Sequence, residues 1–250
     1  MAFKITIITA VYNRSETIGQ AIKSVAAQSY DNVEHIIIDG ASTDNTLSEV
    51  EKHSHARIRV ISEPDNGIYD ALNKGMKTAT GDVIGLMHSD DFFAHNDVLT
   101  NVARVFEEER PDAVFGDLDY VSATNPTKVI RRWKPGSYSH TKLSWGWMPP
   151  HPTLYVRRDV IERFGGYNID YRIAADYEAI LRWFGQAEIL SVYLPEIMVK
   201  MRVGGESNRS LERVMRKSRE DYRALQSNNL GGLGTLAWKN LSKISQFLAR

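Results

Sequence analysis

The sequence has no cysteine, which excludes disulfide scaffolds, thiolate zinc sites and cysteine nucleophiles and leaves a hard metal held by oxygen as the open metal chemistry. It also lacks net charge. Its 31 basic and 31 acidic side chains cancel, so no global field recruits nucleic acid. Long apolar runs are missing too. The run in Met1 to Val11 breaks at Tyr12-Asn13-Arg14, too short for a signal peptide or a membrane span, and a cytosolic start is expected. What remains is ordinary globular composition, 250 residues with 42% hydrophobic and 25% charged, enough for one domain or one with an appendage.

Lys4 to Ala10 is apolar and β-branched and reads as a buried strand. Ser15 is a candidate N-cap for a helix carrying Ile18, Ala21, Ile22, Val25 and Ala26 at helical spacing. The unit recurs as Val33 to Ile38 then Asp44 to Lys52, Ile58 to Ile61 then Ile68 to Thr78, and Val83 to Met87 then Asp97 to Glu108. Four such repeats predict an α/β fold, a parallel-core sheet of Rossmann-like type with helices on both faces. Ligands bind such sheets beyond the carboxyl ends of the strands. That rim holds Val11-Tyr12-Asn13-Arg14, Asp39 to Asp44, Glu63 to Gly67 and His88-Ser89-Asp90-Asp91. Neither G-x-G-x-x-G nor G-x-x-x-x-G-K-[ST] stands there, so hydride transfer and P-loop phosphoryl transfer lose their support.

Asp90 and Asp91 are the sharpest local signal. Carboxylates beside a core are costly unless something positive arrives, and Mg²⁺ or Mn²⁺ bridging one of them to substrate phosphates fits. A helix cap or a turn is the structural alternative, and capping is the expected work of Asp44.

The strings Ile8 to Arg14, Ile37 to Thr46 and Met87 to Asp91, in this order and spacing, resemble the family 2 glycosyltransferases of GT-A fold. The resemblance spans roughly Lys4 to Asn208 and is strongest before residue 95. It implies transfer of a sugar from a nucleotide diphosphosugar, UDP by family frequency, to an acceptor hydroxyl of a glycan or lipid-linked acceptor, with inversion and commonly with Mg²⁺ or Mn²⁺. It further implies a place in polysaccharide or glycoconjugate synthesis. Carried onto this chain, Val11, Tyr12 and Asp39 become nucleotide contacts. Asn66, Asp70 and Lys74 lie on the piece that passes the pyrophosphate and donor sugar, with His88 and Ser89 beside it, and Asp90 with Asp91 forms the metal side. The chain departs from the pattern in having His88 for the first acid of D-x-D, Gly40 for a second acid after Asp39, and Leu72 for an arginine. Lys74 could supply charge to a phosphate or simply be solvated, and His88 could hydrogen-bond or ligate the metal.

Past residue 110 the alternation stops. Ala113 to Val121 and Lys128 to Trp133 read as strands, followed by a proline-rich stretch in which Trp147 and His151 are candidate acceptor contacts, the tryptophan alternatively packing under a loop. Inverting transfer needs a base, and Asp176, at the start of an apolar helix, matches the aspartate of the family's E-D motif, with Ala175 in place of the glutamate. Complementing the helix dipole is its structural alternative. Arg202 to Ser207 resembles a late motif with Gly204 where a histidine ligand often stands, and Gly204-Gly205 is a candidate mobile loop.

The expected organisation is a nucleotide-sugar half over 1–110, an acceptor half of the same domain over 111–208, and a basic helical tail over 209–250. The tail carries nine basic and three acidic residues and an apolar series Leu233, Ala237, Leu241, Ile244, Leu248. It either docks on the domain or lies on an anionic leaflet, which would make the protein cytoplasmic or peripheral on the inner face of the cell membrane. A sugar-1-phosphate nucleotidyltransferase and a non-catalytic glycan or nucleotide binder are the rival readings.

Overall fold

The computed structural model describes residues 3–185, 189–203 and 211–242. Every residue of β1 (Ile5–Val11) is buried, as a strand covered on both faces requires. It pairs in parallel with β2 (Val33–Asp39) and β4 (Val83–Leu86), and β2 pairs in parallel with β3 (Ile58–Ser62). The helices α1 (Ile18–Ala26), α2 (Thr46–Lys52) and α3 (Ile68–Thr78) fill the crossovers, and α4 (Val98–Glu109) closes this half. Helix α3 lies directly on β1 because Gly75 has no side chain, and a Cβ there would stand 2.5 Å from Ile8.

Ser15 does not cap α1, which starts after Thr17. The Ser15 N–H goes to Asp44 Oδ2 at 3.2 Å instead. Asp44 does serve the start of α2, its Oδ1 accepting the N–H of Thr46 at 2.9 Å.

The sheet then turns mixed. Its order is β3-β2-β1-β4-β8-β6-β9-β5, with β7 on β6. Strand β8 (Tyr155–Arg157) runs antiparallel to both β4 and β6 (Ala113–Val121), and β6 runs parallel to β9 (Ser191–Arg202). The short β5 (Phe92–Phe93) pairs with β9, and β7 (Val129–Trp133) with β6. The sequence pattern does not foretell β9. Pro195 interrupts it, and the sheet accommodates that residue by register shifts around Asp117.

One core gathers Ile8, Ile36, Leu72 and Met76 and continues into Ala175, Ile180, Trp183 and Phe184 of α7 (Ala175–Phe184), so the two halves share it. The opposite face packs Ile5, Ile7, Leu99, Phe106 and Met198. Between them come α5 (His140–Leu143), a 3-10 turn (His151–Thr153) and α6 (Arg158–Phe164).

The tail forms α8 (Leu211–Ser227) and α9 (Leu233–Ser242). Ala224, Leu225 and Leu230 join the first core. Of the two placements the sequence left open for this helix, α9 docks, with Leu236 packed against the first core, yet it carries a buried charge. Lys239 is buried, its Nζ 3.0 Å from Asp221 Oδ2 and 2.9 Å from the centroid of the Tyr177 ring, whereas Leu233, Trp238 and Leu241 are exposed. Ile244 and Leu248 lie outside the described residues, as do Gly204 and Gly205.

Burial by itself would raise the pKa of Asp221, but Lys239 and Lys217 outweigh it and hold the carboxyl below its ordinary value. A depressed pKa stabilises the fold above the unfolded value of about 4 and ceases to do so as pH falls through the folded one. Asp221→Ala, which leaves buried cations unpaired, is expected to cost about 3–5 kcal/mol in urea unfolding at pH 7. The gap to the native protein should narrow as the titration is repeated below about pH 4.

Candidate functional site

At the carboxyl ends of β1 and β2 the chain makes two loops that hold each other. Asn13 adopts the left-handed conformation at φ 50°, and its Oδ1 accepts the N–H groups of Thr43 at 2.9 Å and Asp44 at 3.4 Å. Asp39 is fully buried. Its carboxylate accepts the Ser42 N–H at 3.1 Å and the Ser62 hydroxyl at 2.7 Å. Beside it, a Cβ on Gly40 would stand 2.3 Å from Asp65 Oδ2, so the loop after β3 brings a carboxylate up against Gly40.

A cavity of about 590 Å³ opens next to these loops. Its walls include Arg14, Tyr69, His88, Ser89, Asp90, Asp91, His151, Arg172, Asp176, Arg213, Arg216 and Lys217. Asp90 is half-buried, and its carboxylate has no hydrogen-bond partner among the described residues. Asp91 points further inward: Oδ1 accepts the Arg202 N–H at 3.0 Å, while Oδ2 is buried with no partner. Burial, then the neighbouring Asp90, pushes the Asp91 carboxyl well above the usual range. The Arg202 guanidinium meanwhile reaches the Asp90 carbonyl and Gln20. Among the described residues no three His, Asp or Glu side chains group closely enough to hold a metal alone. An unpaired buried oxygen behind an unpaired carboxylate fits a hard divalent ion of the kind that takes one or two carboxylates and completes its shell with water and phosphate.

Asp176 lines the same cavity. Its Oδ2 lies 3.2 Å from His151 Nδ1, and the Tyr69 hydroxyl lies 3.3 Å from Oδ1 while donating to Ile173 O at 2.7 Å. His151 Nε2 is 2.8 Å from His88 Nε2. Burial, and then the neighbouring imidazole, lowers the pKa of His88 to about 4, and burial lowers that of His151 against the opposing pull of Asp176. Burial thus favours the uncharged form of both rings.

The chain entering α7, which bears Asp176 in its first turn, is held from another helix. Glu220 of α8 accepts the N–H groups of Arg172 at 3.2 Å, Ile173 at 2.8 Å and the N-cap residue Ala174 at 3.0 Å. No side chain at the N-cap bonds the first turn itself, and α8 fixes the loop that leads into it. The same helix supplies Arg213, Arg216 and Lys217 to the cavity wall, Lys217 Nζ resting 2.9 Å from Asp221. Neither Glu220 nor these cations carries a sequence signal, because almost half of α8 is charged in any case.

The structure thus brings His88, Ser89, Asp90, Asp91, His151 and Asp176 around one cavity. The other expected contacts lie elsewhere. Val11 is buried, Tyr12 stands exposed at the rim, and Asp39 shapes its loop. Asn66 and Asp70 bond each other, Asp70 Oδ2 accepting the Asn66 N–H at 3.0 Å. Lys74 Nζ is tied to Glu63 at 2.8 Å and Pro64 O at 2.7 Å. Leu72, where relatives carry arginine, faces the core. Trp147 is not among the cavity residues. Its ring packs on Phe115, Tyr138 and Phe184 and its Nε1–H donates to Pro135 O at 2.8 Å, so core packing accounts for it.

Comparison with known proteins gives the same picture. A family model described as glycosyl transferase family 2 matches residues 6–164. An uncharacterized glycosyltransferase of Mycobacterium tuberculosis is 31% identical over 188 residues, covering 71% of this chain and 68% of its own. A PGL/p-HBAD biosynthesis glycosyltransferase of Mycobacterium bovis is 28% identical over 217 residues, covering 85% and 82%. Among solved structures, S. aureus TarS 1-349 in complex with UDP-GlcNAc superposes with a TM-score of 0.69 at 17% identity, over 90% of this chain and 65% of that one. The mannosyltransferase PcManGT of Pyrobaculum calidifontis, in complex with GDP-Man and Mn²⁺, does so with a TM-score of 0.68 at 18% identity, over 100% and 76%. Against the whole TarS chain the coverage falls to 44%.

Asp176 and the Glu220 anchor of the loop before it lie beyond the matched residues, and their connection makes a prediction of its own. Glu220→Ala should lower stability by about 1–3 kcal/mol, the cost of leaving donors without an acceptor, and Glu220→Gln, which keeps one acceptor oxygen, by less. Chemical denaturation of the two variants beside the native chain measures both.

Proposed function

The chain belongs to glycosyl transferase family 2, and on that premise we propose that it moves a sugar from a nucleotide diphosphosugar to an acceptor hydroxyl with inversion, Asp176 acting as the base. One observation carries the reading: a base-type carboxylate and an acidic pair whose Asp91 Oδ2 has no partner, remote in sequence, line a single cavity of about 590 Å³. A cavity of that size suits a sugar and part of its diphosphate.

The donor enters with its diphosphate toward Asp90 and its nucleotide toward the loops that Asn13 and Asp39 hold in shape. Asp90, backed by Asp91, would hold Mg²⁺ or Mn²⁺; when bound, such an ion neutralises charge on the leaving diphosphate. Asp176 takes the proton of the acceptor hydroxyl as that oxygen attacks the anomeric carbon from the face opposite the diphosphate. Tyr69, with its buried hydroxyl pinned on Ile173, walls the cavity beside the base and keeps water from it. The cations of α8 face the acids across the cavity and suit the negative charge of the donor. A UDP-sugar is the proposed donor, supported by the UDP-GlcNAc held by TarS, and a glycan or lipid-linked molecule is the proposed acceptor.

The proposed place of work is the inner face of the cell membrane. No helix among the described residues is long and apolar enough to cross a membrane. Support comes from the outward face of α9, where Trp238 lies 5.8 Å from the ring of Trp145 beside the exposed Leu233 and Leu241. The positive excess of residues 209–250 complements an anionic leaflet.

Screening nucleotide sugars for thermal stabilisation tests the donor. A selective ligand at a hundred times its Kd adds about 2.7 kcal/mol, and removal of divalent ions with EDTA should erase most of it in the native chain but change nothing in Asp90→Ala. Asp176→Asn should lower release of nucleoside diphosphate by about 10²–10⁴-fold while leaving donor stabilisation intact. Pyrophosphate as the product would instead mark a nucleotidyltransferase, and unaffected turnover would remove Asp176 from its role. Full-length protein should float with vesicles containing anionic lipid, and the triple variant Trp145→Ala, Trp238→Ala, Leu241→Ala should not. Equal flotation would dismiss the membrane contact.

A further inference from the structure

The contacts between Asp176, His151 and His88 dictate where their protons sit. A carboxylate only accepts, so the 3.2 Å contact from Asp176 Oδ2 to His151 Nδ1 puts an N–H on Nδ1. A neutral imidazole carries one such proton, which leaves His151 Nε2 a lone pair. The 2.8 Å contact between the two Nε2 atoms then needs its donor from His88. One tautomer of each ring satisfies both contacts.

The middle ring is also fixed from behind. His151 sits between Pro150 and Pro152 at the head of the 3-10 turn, and Thr153, fully buried, bonds Pro150 O and Gly116 O, each at 2.9 Å. The backbone of the turn is thereby nailed to β6 while its imidazole spans from the end of β4 to the start of α7. Such support from packed elements is what holds a reacting group within the few tenths of an ångström that catalysis requires.

We propose that His151 is a positioning residue: its Nδ1–H pins Oδ2 of Asp176 and leaves Oδ1 as the oxygen that takes the acceptor proton, and His88, standing where relatives carry an acid, locks His151 in the tautomer that can do so. The inference rests on Asp176 being the base. In the transfer the acceptor O–H bond breaks and its proton goes to Oδ1. The freed oxygen bonds the anomeric carbon while the bond from that carbon to the diphosphate breaks, the electron pair leaving on the nucleoside diphosphate. The role is distinct from the acceptor contact expected of His151 from sequence, since both ring nitrogens face protein groups.

The arrangement is testable without turnover. Nitrogen-15 NMR of the histidine side chains in the full chain should show His151 protonated on Nδ1 and His88 on Nε2, and Asp176→Ala should release His151 from its single tautomer. The reverse tautomers would overturn the proposal. With substrates, His151→Ala should lower kcat on the order of 10²-fold, as misplacement of a reacting group does, with the donor KM and donor-induced thermal stabilisation unchanged. His151→Asn, whose amide N–H falls at the Nδ1 position, should restore the larger part of kcat, and His151→Gln, whose amide reaches the Nε2 position, should not. Full kcat in the alanine variant, or rescue by Gln equal to that by Asn, would overturn it, since a space-filling role favours the larger side chain. A native chain that binds donors yet transfers no sugar would refute the base and the positioning role together while the tautomers still read as stated, so the two failures are told apart.

Discussion

A 2.8 Å contact between two imidazole nitrogens joins the parallel half of the sheet to the mixed half at the working surface. His88 follows β4 by two residues, and His151 opens the turn that leads into β8, which itself pairs with β4. Buried donors and acceptors left unmatched cost about 1–3 kcal/mol each, so two neutral rings in contact are tolerable only when one gives and the other takes. The carboxylate of Asp176 decides which. Because it can only accept, the proton pattern runs outward from the base to the rim of the sheet, and the residue that replaces an acid in the metal-side motif becomes part of the base's surroundings. A carboxylate at position 88 would face His151 with acceptors alone and would invite a charged imidazolium next to the base.

The cavity wall separates most of its charges by element. Acids come from the ends of the sheet and the first turn of α7, and cations from α8 and the loop before α7, with Arg14 alone on the sheet side. Such a division is stable only if the acids are kept from collapsing onto the cations, and local hydrogen bonds achieve that. Asp91 is held by the Arg202 backbone, Lys217 is drawn back toward Asp221, and Asp176 is held by His151. Helix α8 does two things on adjacent positions, Glu220 holding the loop before α7 and Asp221 collecting Lys217 and Lys239.

Much of the donor half was legible, since β1 to β4 and their helices follow from strict periodicity and rim residues fall where strands end. Asp90, Asp176 and their common cavity follow from motif and spacing. The rest depended on contacts that no local pattern encodes. Strand β9 is hidden by Pro195, which the sheet absorbs with a register shift supplied by its neighbour. Helix α8 is almost half charged, and beside the buried Ala224 and Leu225 at its end it is fixed by an ion pair and by Glu220 on the loop before α7, which no local pattern announces. Trp147 read equally well as a sugar platform or as core, because an aromatic in a loop is compatible with both until its neighbours are known, and those neighbours are Phe115 and Phe184. His151 stood between prolines with nothing in the sequence to say that it meets position 88.

The tail is bound to the catalytic half by apolar contacts of Ala224, Leu225 and Leu230 and, further along, by the buried charge of Lys239. Lys239 enters the protein while Trp238 and Leu241, its neighbours along the same helix, face outward. Anything that grips the outer face of α9 therefore bears on Lys239, hence on Asp221, and through α8 on the loop before the helix that bears Asp176. An apolar anchor would slide with little penalty, whereas a buried ion pair has one good geometry and loses several kcal/mol when it is broken. The tail thus sets the position of α8 sharply, and α8 in turn sets the loop that leads into α7. The outer face of α9 and Asp176 share one chain of contacts and belong to a single mechanical unit.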